Sequence, residues 1–315
     1  MSSVSTEEYV RHAIHGEDRT WAETNCYTDL LIELVHSRGH DPVAMLPFTL
    51  AIDFEGDQWT FFKPAHLDLV ALYGMDIQEL AMWKPPVEHV EEQVAAGRPV
   101  LIELDSFWLP DTSGTAYRIA HMKTTVGVNE IDVERGYMAY FHNQGFYAVE
   151  GDDFRKLFDL PGLPPYVEFV KPVPGFHPRH DNELVDLSLA MMKSHLARAP
   201  RINPFTRFKE RFSADLESLL AADIGHFHKY SFATLRQYGA CFELAETYLG
   251  WLTLRSIAGL EVPRAAFANI AQTAKAFQFQ LARSMARKKP LDLAPLDAMA
   301  AQWDVGMTLL HTRYA

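Results

Sequence analysis

The sequence predicts an α+β chain, in which a mixed N-terminal part with a small antiparallel sheet precedes an all-α helical bundle, and three observations predict it. Strand-like alternation and turn residues crowd into the first half, as in VLIELDSFWL and GYMAYFHN. The second half keeps a helical period almost to its end and is rich in Ala, Leu and Arg. Between them, Leu160 to Pro178 is punctuated by PGLPP, KPVPG and FHP, which discourage regular structure. The boundary is therefore set there, giving domains 1–175 and 176–315, and 315 residues are enough for both.

Taken in order, Asn25 or Thr24 caps a helix from about Cys26 to Ser37, with Leu30, Leu31, Leu34 and Val35 at helical spacing and Gly39 as its stop. LPFTLAIDF and QWTFFK, separated by Glu55-Gly56-Asp57, read as a hairpin, and AHLDLVALYG reads as a helix. Val87 to Ala96 has a helical period and ends at Gly97 to Pro99, before the strand VLIELDSFWL. After the PDTSGT loop, AYRIAHMKTTVGV reads as a strand with Tyr117, Ile119, His121 and Lys123 on one face. GYMAYFHN is its antiparallel partner across Asp132 to Gly136, and FYAV is a further short strand. Helices are expected over about Asn182 to Ala199, Thr206 to Ala222, Tyr230 to Gly259, Arg264 to Lys288 and Pro295 to His311.

Composition and charge exclude several classes. With 48% hydrophobic and 22% charged residues the chain is ordinary globular material, neither disordered nor low-complexity. A net charge of −12 repels phosphate backbones and anionic bilayers, so neither nucleic acid nor membrane is an expected partner. Two cysteines, Cys26 and Cys241, with no CxxC pair, fit a reduced cytoplasmic setting. The longest apolar run, Val43 to Ile52, contains Pro47 and is far shorter than a spanning helix needs, and the N-terminal stretch has no apolar signal core. Of 14 histidines, only His226 with His228 and His177 with His180 lie close in sequence, without carboxylates or thiols at ligand spacing. No metal and no resident cofactor are expected. There is no GxSxG, P-loop or GxGxxG fingerprint.

Cys26 is the first candidate for chemistry, because a thiol at a helix N-terminus meets the positive end of the helix dipole, which favours the thiolate. A cysteine nucleophile needs a base, and His121 on its strand supplies one. Asn143, or else His142, lies at the end of the pairing strand and would orient that imidazole. Asp105, at the end of the strand before PDTSGT, and Trp108 and Tyr117, which flank the same loop, are further candidates for the site.

The blocks ETNCYTDLLIE, LIELDSFWLPDT, HMKTT and YFHNQGFY, spanning Thr24 to Phe158, resemble the papain-like domain of a bacterial family related to the N-acyltransferase of butirosin biosynthesis, and the helical second half fits that two-part layout. The resemblance implies a papain-like N-terminal fold. It also implies a cysteine-dependent acyltransferase that takes an acyl or aminoacyl group from a carrier-protein thioester and passes it to an amine. Carried over, Cys26 is the nucleophile, His121 the base and Asn143 the orienter; many papain-like relatives have Asp where this chain has His142-Asn143. In that reaction the oxyanion would be held by the Cys26 backbone N–H and the Asn25 side chain, Asp105 would hold the incoming ammonium, and Trp108 and Tyr117 would wall the acyl group. The partner implied is an acyl or aminoacyl carrier protein bearing phosphopantetheine. A basic stretch, Lys193, Arg198, Arg201, Arg207, Lys209 and Arg211 against the single acid Glu210, offers such an acidic carrier a surface. A hydrolase with the same triad, peptidase or thioesterase, and a non-catalytic carrier-protein-binding module are the alternatives.

Overall fold

A computed structural model describes residues 5–159, 162 and 164–314 of the chain. The N-terminal half contains α1 (Cys26–Ser37), β1 (Phe54–Glu55), β2 (Gln58–Trp59), α2 (His66–Tyr73), β3 (Met75–Glu79), α3 (Pro86–Ala95) and β4 (Val100–Asp105). There follow β5 (Lys123–Asp132), β6 (Tyr137–His142), β7 (Gly145–Glu150), α4 (Gly151–Leu157) and β8 (Val167–Pro172). Helices then take over as α5 (Asp181–Arg198), α6 (Pro204–Ala221), α7 (Ile224–Ser231), α8 (Gln237–Leu254), α9 (Glu261–Arg287) and α10 (Ala294–Tyr314). The architecture is α+β, with a sheet in the N-terminal region and helices in the C-terminal region.

Two compact units result. One holds the described residues through Gly16, Asn25–Pro42 and Ala65–Arg179; the other holds Glu17–Thr24, Val43–Pro64 and the chain from His180 onward. Two N-terminal segments thus cluster with the C-terminal helices.

In the first unit the strand order is β3-β8-β4-β5-β6-β7, with every neighbouring pair antiparallel. Alternation in these strands sorts the side chains onto two faces. Val100, Ile102 and Leu104 of β4 join Val126, Val128, Met138, Tyr140 and Val149 in one buried layer, covered by Val90 of α3 and by Phe154 and Leu157 of α4. The opposite face receives α1. Gly127 of β5 pairs with Leu101 and Phe141, and a Cβ there would stand 3.4 Å from Leu30 Cδ1, so the absence of a side chain lets α1 lie close on the sheet.

Several sequence expectations change here. VEFVKP, read as part of the Pro-broken boundary, is strand β8 in the middle of the sheet. Val100 pairs with Phe169, so Pro172 lies past the end of the β4 pairing, where its missing N–H breaks no bond to β4. Residues 160, 161 and 163 of that boundary stretch lie outside the described residues. Strand β3 follows α2 directly after Gly74, whose left-handed φ of 64° ends the helix. LPFTLA is not a strand: Pro42–Ala51 runs as tight helical turns, and because Ala44, Met45, Leu46, Phe48 and Leu50 are all buried the run carries no period from which to tell helix from strand. The hairpin shrinks to Phe54–Trp59.

The second unit is a helical packing with an aromatic centre. Phe205, Phe208 and Phe212 of α6 meet Tyr238 and Phe242 of α8 and Phe267 and Phe277 of α9, all fully buried. The hairpin belongs to this centre, with Trp59 at 4.8 Å from Tyr238 and 5.0 Å from Phe205 between ring centroids. Trp21 also packs here: its indole donates to Ala271 O at 3.1 Å, and a Cβ on Gly239 would come within 2.5 Å of it. The expected long helix from Tyr230 to Gly259 is divided into α7 and α8 by a π turn at Phe232–Arg236, and it stops at Leu254.

Candidate active site

Cys26 is the first residue of α1, half-buried. Asn25 is extended (φ −140°, ψ 152°) and its side-chain oxygen accepts from Thr28 N at 2.9 Å, an N-cap that fixes where the helix starts. That bond commits the Asn25 side-chain oxygen to capping the helix. The thiol therefore stands at the positive end of a twelve-residue helix. Cys241, by contrast, is fully buried on α8, its Sγ donates to Thr49 O at 3.4 Å, and burial pushes its thiol well up.

His121 is not on a strand, because β5 begins only at Lys123. The alternation from Tyr117 to Lys123 mimics a strand, but Ala116 O accepts from both Ile119 N and Ala120 N, a helical turn, and Arg118 has a left-handed φ of 59°. The imidazole is exposed at the end of this turn. Its Nδ1 pairs with Asp105 Oδ2 at 2.6 Å, and its ring stacks on Phe107 with centroids 4.3 Å apart and planes 12° from parallel. Asp105 Oδ1 also accepts from Phe107 N at 3.1 Å and Met122 N at 3.2 Å, so one carboxylate fixes both ends of the turn-rich connection and the imidazole as well.

Asn143 stands elsewhere. With Gln144 it forms the two-residue turn between β6 and β7, where His142 pairs with Gly145, and its φ of 46° is the left-handed conformation such a turn demands. The partner that the structure gives His121 is Asp105, rather than Asn143 or His142. Cys26 Sγ and the His121 imidazole make no hydrogen bond to each other.

His142 has its own carboxylate. Its Nδ1 pairs with Asp111 Oδ2 at 2.6 Å and its Nε2 with Thr124 Oγ1 at 2.7 Å, while Tyr140 OH donates to Asp111 Oδ1 at 2.5 Å. Burial first, then the adjacent Asp111 charge, pushes the Tyr140 phenol far up, keeping it a donor. Sequence reading missed this group, and its one signal was the acid inside PDTSGT.

Two further buried networks grip α1. Tyr27 OH donates to Glu168 Oε2 at 2.7 Å and lies 2.9 Å from His66 Nε2, and Tyr166 OH donates to Glu168 Oε1 at 3.0 Å. Burial and the Glu168 charge raise the Tyr166 phenol to about 12. On the same helix, His15 lies between Glu33, through Nδ1, and Asp29, through Nε2 at 3.3 Å. Burial opposes a charged imidazole there, but the two carboxylates outweigh it and raise His15 to about 9, so it is an imidazolium at neutral pH.

Trp108 and Tyr117 are both engaged with the same connection. The Arg118 guanidinium lies 4.4 Å over the Trp108 ring and pairs with Asp153, which also accepts from Tyr117 OH at 2.7 Å. Trp108 remains half-buried. Among the basic residues, Arg207 pairs with Asp53, Lys209 with Asp297 at 2.6 Å and Arg211 with Asp215 at 2.7 Å, so three of the six are matched with carboxylates. Arg198 bonds Ser194 O and His195, and Lys193 and Arg201 are exposed. Among the described residues, no group of three or more His, Cys, Asp or Glu is disposed to hold a metal ion, and no helix is long and apolar enough to cross a membrane.

Residues 10–172 match the DUF1839 N-terminal domain and residues 181–312 the DUF1839 C-terminal domain. No curated protein matches the chain. With both matches in their expected order and covering nearly its whole length, the chain belongs to the DUF1839 family.

Proposed function

We propose that the sheet-bearing unit is a papain-like cysteine acyl-transfer domain, in which Cys26 is the nucleophile, His121 the base and Asp105 the group that orients it. The observation that carries this reading is the 2.6 Å bond from Asp105 to His121 Nδ1, which fixes the tautomer and leaves Nε2 to exchange a proton. The position of Cys26 at the capped N-terminus of α1, the positive end of the helix dipole, supports the reading further. The reaction requires the thiol and imidazole to come within hydrogen-bond reach in the substrate complex, since such bonds commonly tighten only there.

In the first half, the Cys26 thiolate attacks the carbonyl of a carrier-protein thioester. The new S–C bond forms as the pantetheine thiol leaves, taking the proton held on His121. In the second half an amine attacks the acyl-enzyme, His121 accepts the amine proton, and the thiolate departs. With Asp105 committed to His121, its expected role as the ammonium holder is replaced by orientation. The His121 side chain is 69% exposed, which admits water as the acceptor, so hydrolysis through the same acyl-enzyme is the second reading.

Intact-mass spectrometry after incubation with acyl- and aminoacyl-carrier-protein thioesters tests this directly. A mass increment is expected on the native chain and not on Cys26→Ala, and free amine then separates transfer from hydrolysis by its product. No increment with any donor, together with a Cys26 that resists alkylation in the folded protein, leaves the non-catalytic carrier-binding module.

A further inference from the structure

Within the helical unit, a cavity of about 280 Å³ is lined by Phe48, Ala51, Ile52, Phe61 and Phe62 on its apolar side and by Thr60, Lys63, His195 and Arg198 on its polar side. The apolar wall is preformed: Phe48 and Phe62 are buried and stacked, with centroids 6.3 Å apart and planes 17° from parallel. Phe61 stands at the mouth, 53% exposed, where its ring extends the apolar wall toward solvent.

The polar side departs from the rest of the molecule. The chain carries a net charge of −12, yet no carboxylate is among the lining residues, and two of them are cations. Arg198 is the more informative. Its neighbours in the basic stretch, Arg207, Lys209 and Arg211, each have a carboxylate partner. Arg198 instead donates Nε to Ser194 O at 3.3 Å and Nη2 to His195 Nδ1 at 3.1 Å. Its remaining N–H donors have no partner among the described residues. The buried His195 accepts that bond through Nδ1 and so helps fix the orientation of the guanidinium.

We propose that this cavity binds a small amphipathic anion, a carboxylate or phosphate attached to a short apolar or aromatic body. The anion would sit on Arg198 and Lys63, and the body on the Phe48, Phe61 and Phe62 wall. At about 30 Å³ per water-sized group, the volume suits a ligand of on the order of ten non-hydrogen atoms. The site is independent of Cys26 and of the acyl-transfer reading.

Titration calorimetry of the full chain reads the two halves of the site separately, using phenyl phosphate, 3-phenylpropanoate, inorganic phosphate and benzyl alcohol as probes. Saturable binding is expected for at least one of the first two, and whichever binds more tightly identifies the headgroup. Inorganic phosphate and benzyl alcohol should each bind at least about tenfold more weakly, because each satisfies one half. Arg198→Gln should weaken binding about tenfold or more, Arg198→Lys by less, and Phe61→Ser about threefold. Both positions are exposed, and unchanged thermal melts would show that the variants fold. Absence of saturable binding for both amphipathic anions at about 5 mM overturns the proposal. So does inorganic phosphate or benzyl alcohol binding as tightly as the amphipathic probes, or affinity indifferent to both Arg198→Gln and Phe61→Ser.

Discussion

Two histidine–aspartate pairs in the sheet unit share one bond length and differ in almost everything else. His121 Nδ1 to Asp105 Oδ2 and His142 Nδ1 to Asp111 Oδ2 are each 2.6 Å, but side-chain exposures are 69% and 31% in the first pair against 2% and 3% in the second. In the buried pair, Thr124 and Tyr140 occupy the remaining polar atoms, and water has no access. In the exposed pair, Nε2 makes no hydrogen bond among the described residues and one ring face rests on Phe107. Distance alone therefore does not assign a role; burial does. Asp111 and His121 lie on the same connection between β4 and β5, so the buried pair anchors the segment that presents the exposed one.

The largest expected effect is on the buried side. Asp111→Ala leaves His142 and the Tyr140 hydroxyl buried without their acceptor, and urea denaturation should show a loss of about 3–5 kcal/mol. A loss under about 1 kcal/mol would break the contrast between the pairs. His15 extends the comparison to a third, fully buried imidazole between two carboxylates. Because its folded-state value, about 9, lies above the ordinary 6.5, the stabilisation is fully present below pH 6.5 and is lost as pH rises through about 9. Stability measured across that interval should fall by roughly 3 kcal/mol, and His15→Phe should flatten the profile. The smallest effect on stability is expected for the exposed pair. Asp105→Ala, which removes the exposed ion pair and the bonds to Phe107 N and Met122 N, should cost about 1–2 kcal/mol. Yet it should slow Cys26-dependent acyl-enzyme formation about tenfold or more, because the imidazole loses its orienting partner. An Asp105→Ala chain that acylates at the native rate would leave that pair a surface ion pair and nothing more.

How much of this was legible depended on whether the signal was local. The capped helix at Cys26 was readable because the cap, the apolar spacing and the glycine stop all lie within the short stretch from Asn25 to Gly39. The hairpin of β6 and β7 was readable for the same reason, and its turn explains Asn143 by backbone conformation. Strand β8 was hidden because flanking prolines signal a break, although they fall outside its pairing with β4. At the site, Cys26, His121 and Asp105 were all singled out, but the bond between the last two was not foreseen. The alternating residues around His121 suggested a strand, which would have carried the imidazole toward the next strand rather than back onto Asp105. The Asp111–His142 group joins residues 31 apart in the chain, and no local pattern announces such a pair.

The interleaving of the two units has a consequence for synthesis on the ribosome. Trp21 and the Phe54–Trp59 hairpin emerge early, but the aromatic rings that cover Trp59 belong to Phe205 and Tyr238. Tyr238 follows Trp59 by 238 − 59 = 179 residues. At about 5–20 residues per second, the nascent chain carries that indole for roughly 10–35 s before its last ring neighbour is made. Every strand of the sheet is made before Phe205 and Tyr238, so a chaperone holding the apolar run near Trp59 would be protecting an unfinished helical core rather than a misfolded sheet.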